Sequence, residues 1–129
     1  MRIGYKKVKQ GNTDNYHAMK DRILKLEILG EVVAPDGPYG KKRTSKVRVL
    51  EAFSIRESNG WRPNRIDKKL KSKGPYMPYH HHYGPATQGF EYTVGEIAVP
   101  SNGLNRDRTR DCGSGINFFS ALEEALSYC

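Results

Sequence analysis

The sequence predicts an α+β fold: a mainly antiparallel sheet, one C-terminal helix packed on it, and a long basic loop insertion. Several short segments alternate apolar and polar residues with a period of two, as half-buried strands do. One segment near the C-terminus has helical periodicity instead, and residues 56–88 have no apolar periodicity. At 129 residues, the chain is long enough for a single domain, residues 1–129, to bury a core without metal or disulfide cross-links.

The first half of the chain holds three predicted strands. Residues 3–8 are short and mixed, whereas residues 23–29 alternate clearly, with Leu24, Leu26 and Ile28 on one face. Residues 45–55 alternate in the same way, except that Glu51 would point inward and therefore indicates a bulge or the end of the strand. The inward side chains predicted for this third strand are Val47, Val49, Phe53 and Ile55. Two connections between the strands are rich in Gly, Pro, Asn or Asp. Residues 10–21 are predicted to be a loop or a short helical turn, and residues 30–40 a loop with turns.

The chain is predicted to end on a helix over residues 120–128. Ser120 is a suitable N-cap, and Glu123, three residues on, completes a capping box. The apolar face of this helix is Leu122, Ala125 and Leu126. Two more strands are predicted before it, over residues 89–99 and 115–119, with a charged loop over 101–110 between them.

The formal charge of +8, from 22 basic and 14 acidic residues, favours an anionic partner: nucleic acid, a nucleotide or an acidic protein surface. Two stretches hold the excess. Residues 41–48 carry five basic and no acidic residues, and residues 62–73 carry six basic residues against Asp67. The first stretch opens a predicted strand, where it would place positive charge at a sheet edge and also guard that edge against aggregation.

The sequence also predicts a cellular compartment. No apolar run approaches the length of a membrane span, and no export signal follows Met1, so we expect no membrane association and a cytosolic environment. In that compartment Cys112 and Cys129 would be reduced thiols, with a disulfide between them as the alternative. The run His80-His81-His82 has no acidic or Cys residue nearby, so no metal site is predicted.

The basic and aromatic stretch within residues 56–88 has the ingredients for phosphate neutralisation and base stacking. We predict that it binds nucleic acid or a partner; a solvated loop that only keeps the protein soluble is the alternative. The residues predicted to make this contact are Arg62, Arg65, Lys68, Lys69, Lys71, Lys73, Tyr76 and Tyr79.

A second predicted site lies near the C-terminus. Gly113 and Gly115 precede an apolar strand and a helix, an arrangement that lets a flat ligand approach the backbone closely and can hold a nucleotide. Ordinary core packing of a strand, a turn and a helix would produce the same pattern.

Five segments occur in an order that resembles a known family. They are Tyr5-Lys6, residues 23–28, 42–50 and 90–96, and Cys112-Gly113-Ser114-Gly115-Ile116-Asn117-Phe118-Phe119, the last of them with Glu124-Ala125 and Tyr128 after it. The order is similar to that in the uncharacterised domain of phages and large DNA viruses that often precedes pentapeptide repeats. The resemblance spans nearly the whole chain except residues 56–88. It implies a viral or phage accessory protein, located in the host cytoplasm or the virion, and it implies no particular activity.

Within that resemblance, residues 113–120 with 127–129 resemble the glycine-rich strand and following helix of ADP-ribosyltransferases of the poly-ADP-ribose polymerase type. The resemblance implies a cleft for NAD or an ADP-ribose-like ligand, on which Tyr128 would stack, whereas Asn117 stands at a strand position that is aromatic in that family. No counterpart of the family's catalytic glutamate is present. The implied ligand-binding residues are Tyr5, Gly113, Ser114, Gly115, Asn117 and Tyr128.

We therefore predict a non-catalytic accessory protein, without a resident cofactor, that binds a nucleotide-type or other anionic ligand in this cleft. The alternative is a structural virion protein or a nucleic-acid-associated protein that uses the basic stretch. An active enzyme, which the resemblance would make an ADP-ribosyltransferase, is the third interpretation.

Overall fold

A computed structural model describes residues 1–11, 18–37, 40–58, 60–78, 91–109 and 113–128 of the chain. Within these residues the protein is mostly antiparallel sheet with one short C-terminal helix, so the predicted α+β class is confirmed. No described helix has the length and apolar character needed to cross a membrane. The elements are β1 (Ile3–Gln10), β2 (Lys20–Ile28), β3 (Val32–Val33), β4 (Lys42–Thr44), β5 (Val47–Arg56), β6 (Arg65–Lys69), β7 (Met77–Pro78), β8 (Ile97–Ala98), β9 (Ile116–Phe118) and α1 (Leu122–Ser127).

The described strands form two sheets. The larger has the order β6-β5-β2-β1-β7, with β8 also paired to β5, and the smaller has the order β3-β4-β9. Every pairing between named strands is antiparallel. A bridge between Tyr5 and Phe119, with both backbone N···O distances at 2.8 Å, joins the two sheets just beyond the end of β9.

The main core lies on the face of the larger sheet that the smaller sheet covers. Alternate residues of β2 and β5 fill it, and Phe118 of β9 packs against Gly4, where an added Cβ would lie 2.5 Å from the Phe118 ring. The fully buried apolar residues of this cluster include Val8, Leu24, Leu26, Val47, Val49, Tyr76 and Phe118. The period of two in residues 23–29 thus marks the buried face correctly.

The helix packs on the opposite face of the larger sheet. A second cluster there joins Ile23 and Phe119 to Ala125 and Leu126 of α1. The predicted apolar face of the helix is confirmed, but the predicted N-cap is wrong. The helix begins one residue later, and its N-cap is Ala121, which has no side chain able to accept a capping hydrogen bond.

A bulge in β5 changes which residues face the core. Val49 pairs with Leu26 and Glu51 pairs with Lys25, so Leu50 is the extra residue. This confirms the predicted irregularity at Glu51. It also corrects the predicted face: beyond the bulge Ala52 joins the main core, whereas Ile55 packs into the helix-side cluster.

Two predicted segments need correction. The strand predicted over residues 89–99 is reduced to a bridge between Tyr92 and Tyr76 and the short β8, because a turn at residues 93–96, with Gly95 at φ +93°, interrupts it. Residues 89 and 90 lie outside the described part of the chain. The insertion at 56–88 is not all loop, since it contains β6, β7 and the fully buried Tyr76.

The basic stretch 41–48 does not lie at a sheet edge. Its strand, β4, is paired on both sides, with β3 and β9. Arg43 is entirely buried, and its Nε donates to the carbonyl oxygen of Asn105 at 2.6 Å, while Nη2 donates to that of Asp107. Arg43 therefore anchors the loop 104–109 to the small sheet, a structural role that the charge count alone does not reveal.

Candidate nucleic-acid interface

The turn between β5 and β6 exposes the protein's single tryptophan. Antiparallel pairing of Ile55 with Ile66 brings the two strands together, and the backbone N–H of Ser58 donates to Asn64 Oδ1 at 3.2 Å across the turn. Gly60 has φ +83°, a conformation that L side chains rarely adopt. Trp61 follows it and is 98% exposed. A large aromatic ring is thus held at the hairpin tip without any packing of its own.

Exposed cations follow Trp61 along the edge of the sheet. The ion pairs here are Arg56 with Asp67 at 3.7 Å and Lys69 with Glu51 at 3.5 Å. Among the described residues, the other predicted cations make no ion pair, and all of them are exposed. They are Arg62, Arg65, Lys68, Lys71 and Lys73. Because β6 is an edge strand, it presents its charges along about 13 Å of extended backbone, the length of roughly four base steps. We call Trp61 and these five cations the basic hairpin.

The structure places the predicted Tyr76 outside this surface. Tyr76 is fully buried, and its hydroxyl donates to the carbonyl oxygen of Ser72 at 2.6 Å. Burial raises the pKa of this phenol. The predicted stacking role of Tyr76 is therefore wrong, since no base can reach its ring. Tyr79 lies outside the described residues, as do His80-His81-His82, Cys112 and Cys129.

Polar side chains extend the surface across one face of the larger sheet. Directly opposed residues share a face, and the register places Gln10 opposite Lys20, Arg22 opposite Ser54, and Arg56 opposite Arg65. Beside the first of these pairs lies an open groove of about 660 Å³, lined by Gln10, Gly11, Ala18, Lys20, Arg22, Gly74 and Pro75. We call the cations of this face, Lys20, Arg22, Arg56 and Arg65, the cationic track; it extends from the groove to the basic hairpin.

Sequence reasoning missed Trp61, Lys20 and Arg22. The dipeptide Gly60-Trp61 within a polar, basic stretch was a usable signal, because an aromatic side chain in a turn has no core to enter. Nothing local marks Lys20 and Arg22, since their significance depends on which strands pair with β2.

Three residues of the predicted nucleotide cleft lie near the junction of the two sheets. Tyr5 packs against the helix-side cluster, and the Tyr128 ring lies 5.6 Å from Phe119 and 5.4 Å from Lys41 Nζ. Asn117 accepts a hydrogen bond from Lys6 Nζ at its backbone oxygen, at 2.8 Å.

The glycine turn of the predicted cleft contacts protein. An added Cβ at Gly113 would lie 3.0 Å from Asn105 Cβ, and one at Gly115 would lie 3.0 Å from a Leu104 methyl group; each would also lie 3.2 Å from an Arg43 atom. Ser114 is exposed, and its carbonyl accepts from Asn105 N–H at 2.8 Å. These glycines allow a close approach, but the group that approaches is the loop anchored by Arg43. Ligand binding at this turn stays a prediction.

Lys6 is a half-buried cation without a carboxylate partner among the described residues. Its side chain lies on the core side of β1, opposite Leu24, with Nζ 5.9 Å from the centre of the Tyr92 ring. Burial, and secondarily the nearby charge of Lys41, lower the pKa of Lys6 from 10.5 to about 7. Burial also raises the pKa of Tyr92, so that phenol stays neutral and offers no compensating charge.

Lys6 should make the stability of the fold depend on pH. Between pH 7 and 10.5 the unfolded chain keeps a proton on Lys6 that the folded chain has lost, so the free energy of unfolding rises with pH in this window. Lys6→Met should therefore be more stable than wild type at pH 6, by roughly 1–3 kcal/mol, and this advantage should shrink toward pH 10. Urea unfolding across this range measures the difference. A gap that is constant with pH would contradict the assignment.

No group of three or more His, Cys, Asp or Glu side chains suited to a metal ion occurs among the described residues.

Comparison with known families gave one result that bears on identity: the model of a family of unknown function, DUF5758, matches residues 1–125. No curated protein and no solved structure matched the chain.

Proposed function

This chain belongs to DUF5758, a family of unknown function, and we propose that it binds single-stranded nucleic acid through the basic hairpin. The observation that carries the proposal is the 98% exposure of Trp61 at a hairpin tip, followed by five exposed cations that make no ion pair with the described residues. The proposal takes up the nucleic-acid interpretation of the basic stretch, with Trp61 in place of Tyr76 as the stacking residue.

The cations supply the electrostatic part of the interaction. Arg62 and Arg65 can each contact a phosphate through a guanidinium, and the three lysines act as point charges beside them. Binding would release counterions from the nucleic acid, so the affinity should fall as the salt concentration rises. For a single strand, the slope of log K against log salt concentration is about −0.7 for each phosphate contact. Without an anionic ligand, these cations repel one another, and this repulsion destabilises the fold.

Trp61 favours a single strand over a duplex. Stacking on a tryptophan requires an exposed base face, which a paired and stacked base does not offer. A membrane surface is the other partner that a tryptophan among cations can suit. Apart from Trp61, however, the described large apolar side chains that are exposed lie elsewhere in the fold: Met1, Leu29, Ile97 and Val99. A lone ring without an apolar patch suits a base better than a bilayer.

Trp61→Ala tests the proposal. Removing the ring should weaken binding of a 12-nucleotide single strand about tenfold, because one stacked base is worth roughly 1–3 kcal/mol. Trp61→Phe should retain most of the affinity, since it keeps a stacking face. Fluorescence anisotropy with labelled DNA and RNA strands of the same sequence measures both variants and compares the two nucleic acids.

Because Trp61 is 98% exposed, Trp61→Ala should fold as wild type does. Equal affinities for wild type and Trp61→Ala would refute the stacking role. Weak strand binding together with tight binding to anionic lipid vesicles would identify a membrane as the partner instead.

A further inference from the structure

An open groove lies at the end of the β1–β2 pair, and the basic hairpin does not account for it. Its volume of about 660 Å³ lies in the range of small-molecule sites. It opens on the same face as Arg56 and Arg65 of the basic hairpin's strands. A ligand in it would therefore lie at the far end of the cationic track.

The polar side of the groove suits a phosphate. Arg22 donates from Nε to Gln10 Oε1 at 2.8 Å, and this bond orients the guanidinium while leaving its Nη groups without a hydrogen bond to the described residues. Lys20 is exposed and makes no described ion pair. Lys20 and Arg22 lie two positions apart on one face of β2, and no carboxylate is among the described lining residues of the groove. Asp21, which stands between them in sequence, pairs with Lys7 and Lys9. Two cations without a neighbouring carboxylate in the groove favour an anion with several oxygens.

The remaining lining residues of the groove leave room for a flat, weakly polar ring. Gly11 and Gly74 contribute no side chains, and Ala18 and Pro75 contribute small apolar surfaces. The amide of Gln10, held between Arg22 and Ser72 Oγ, is placed to offer both a donor and an acceptor at the boundary. A nucleobase needs this combination of an apolar face and a polar edge.

We propose that this groove is a subsite for one nucleoside phosphate, with the phosphate on Arg22 and Lys20 and the base against Pro75. The inference deepens the proposed function and rests on it where the ligand is a nucleic-acid strand. In that case one nucleotide of the strand would occupy the groove while another stacks on Trp61. A free mononucleotide offers the same chemistry, and the test separates the two sources.

The test is an NMR titration of ¹⁵N-labelled protein with adenosine 5′-monophosphate, with adenosine and inorganic phosphate as part-ligands. The monophosphate should shift the amide signals of Gln10, Gly11, Lys20, Arg22 and Gly74, more strongly than either part-ligand at the same concentration. Lys20→Gln should weaken binding about fivefold and Arg22→Gln about tenfold, through loss of charge-assisted hydrogen bonds. Lys46→Gln removes the same charge from an exposed position elsewhere and should change nothing.

Two results would overturn the subsite: shifts confined to residues 61–73, or equal weakening by Lys20→Gln and Lys46→Gln. The outcome is separable from that of the proposed function. If the monophosphate does not bind in the groove while an oligonucleotide still contacts Trp61, the subsite is refuted and the proposed function of the basic hairpin is retained. If the monophosphate binds in the groove but no oligonucleotide binds, the groove is a site for a free nucleotide and the proposed function falls.

Discussion

Neutralising four cations of the basic hairpin is expected to weaken binding of single-stranded nucleic acid by two to three orders of magnitude. The variant combines Arg62→Gln, Arg65→Gln, Lys68→Gln and Lys71→Gln. Each lost phosphate contact should cost about fivefold at 0.1 M salt, which follows from a slope of about 0.7 per contact. The salt dependence should fall as well, because fewer counterions are released. Anisotropy titrations at 50 and 200 mM salt measure both quantities.

The matched control removes charge elsewhere. Arg2 and Lys46 are exposed and lie outside the cationic track, so Arg2→Gln with Lys46→Gln is compared with the pair Lys68→Gln and Lys71→Gln. The control pair should change the affinity by less than about threefold, through the general field of the protein alone. Equal losses in the two pairs would show that only the net charge matters and that the hairpin is not the binding surface.

Arg43→Met is expected to lower the free energy of unfolding by about 3 kcal/mol. The guanidinium of Arg43 is fully buried and donates to the carbonyl oxygens of Asn105 and Asp107. Methionine fills a similar volume but leaves both oxygens without their donor, and hydrogen bonds to a charged group contribute about 1.5–3 kcal/mol each. Urea unfolding gives the change in stability, and hydrogen exchange should show faster exchange in residues 104–109.

Arg108→Met is the control for that substitution. Arg108 contacts Asp36, at 3.1 Å, and the backbone of Ala34, but both charged side chains are mostly exposed. An exposed pair of this kind contributes about 0–1 kcal/mol, so Arg108→Met should be nearly neutral. If both arginine variants lose the same stability, Arg43 is not the anchor of the loop.

The alternation in β2 could be predicted from sequence because its signal is local. Leu24, Leu26 and Ile28 alternate with charged residues, and the burial of one face is enough to produce that pattern. The same rule gave the wrong face for Ile55, because one extra residue in β5 shifts every later side chain to the other side. Glu51 indicated an irregularity there, but not its effect on the residues that follow.

The candidate site was predictable only in part. The charges of residues 62–73 are visible in the composition, and the structure places them on an exposed strand. The burial of Tyr76 and the buried donor role of Arg43 depend on contacts with residues far away in sequence, namely Tyr92 and the loop 104–109. A count of charged or aromatic residues does not distinguish Tyr76 and Arg43 from their exposed neighbours. Only the tertiary fold shows that these two side chains are buried.

The most direct test of the account is the fluorescence of Trp61 during titration with a 12-nucleotide single strand at 50 mM salt. Trp61 is the protein's only tryptophan, so the signal comes from the hairpin tip alone. Stacking predicts saturable quenching that weakens as salt rises and is nearly absent for the four-cation variant at the same concentrations. Strand binding detected by anisotropy without any change in tryptophan fluorescence, or no binding at this salt, would contradict the central claim.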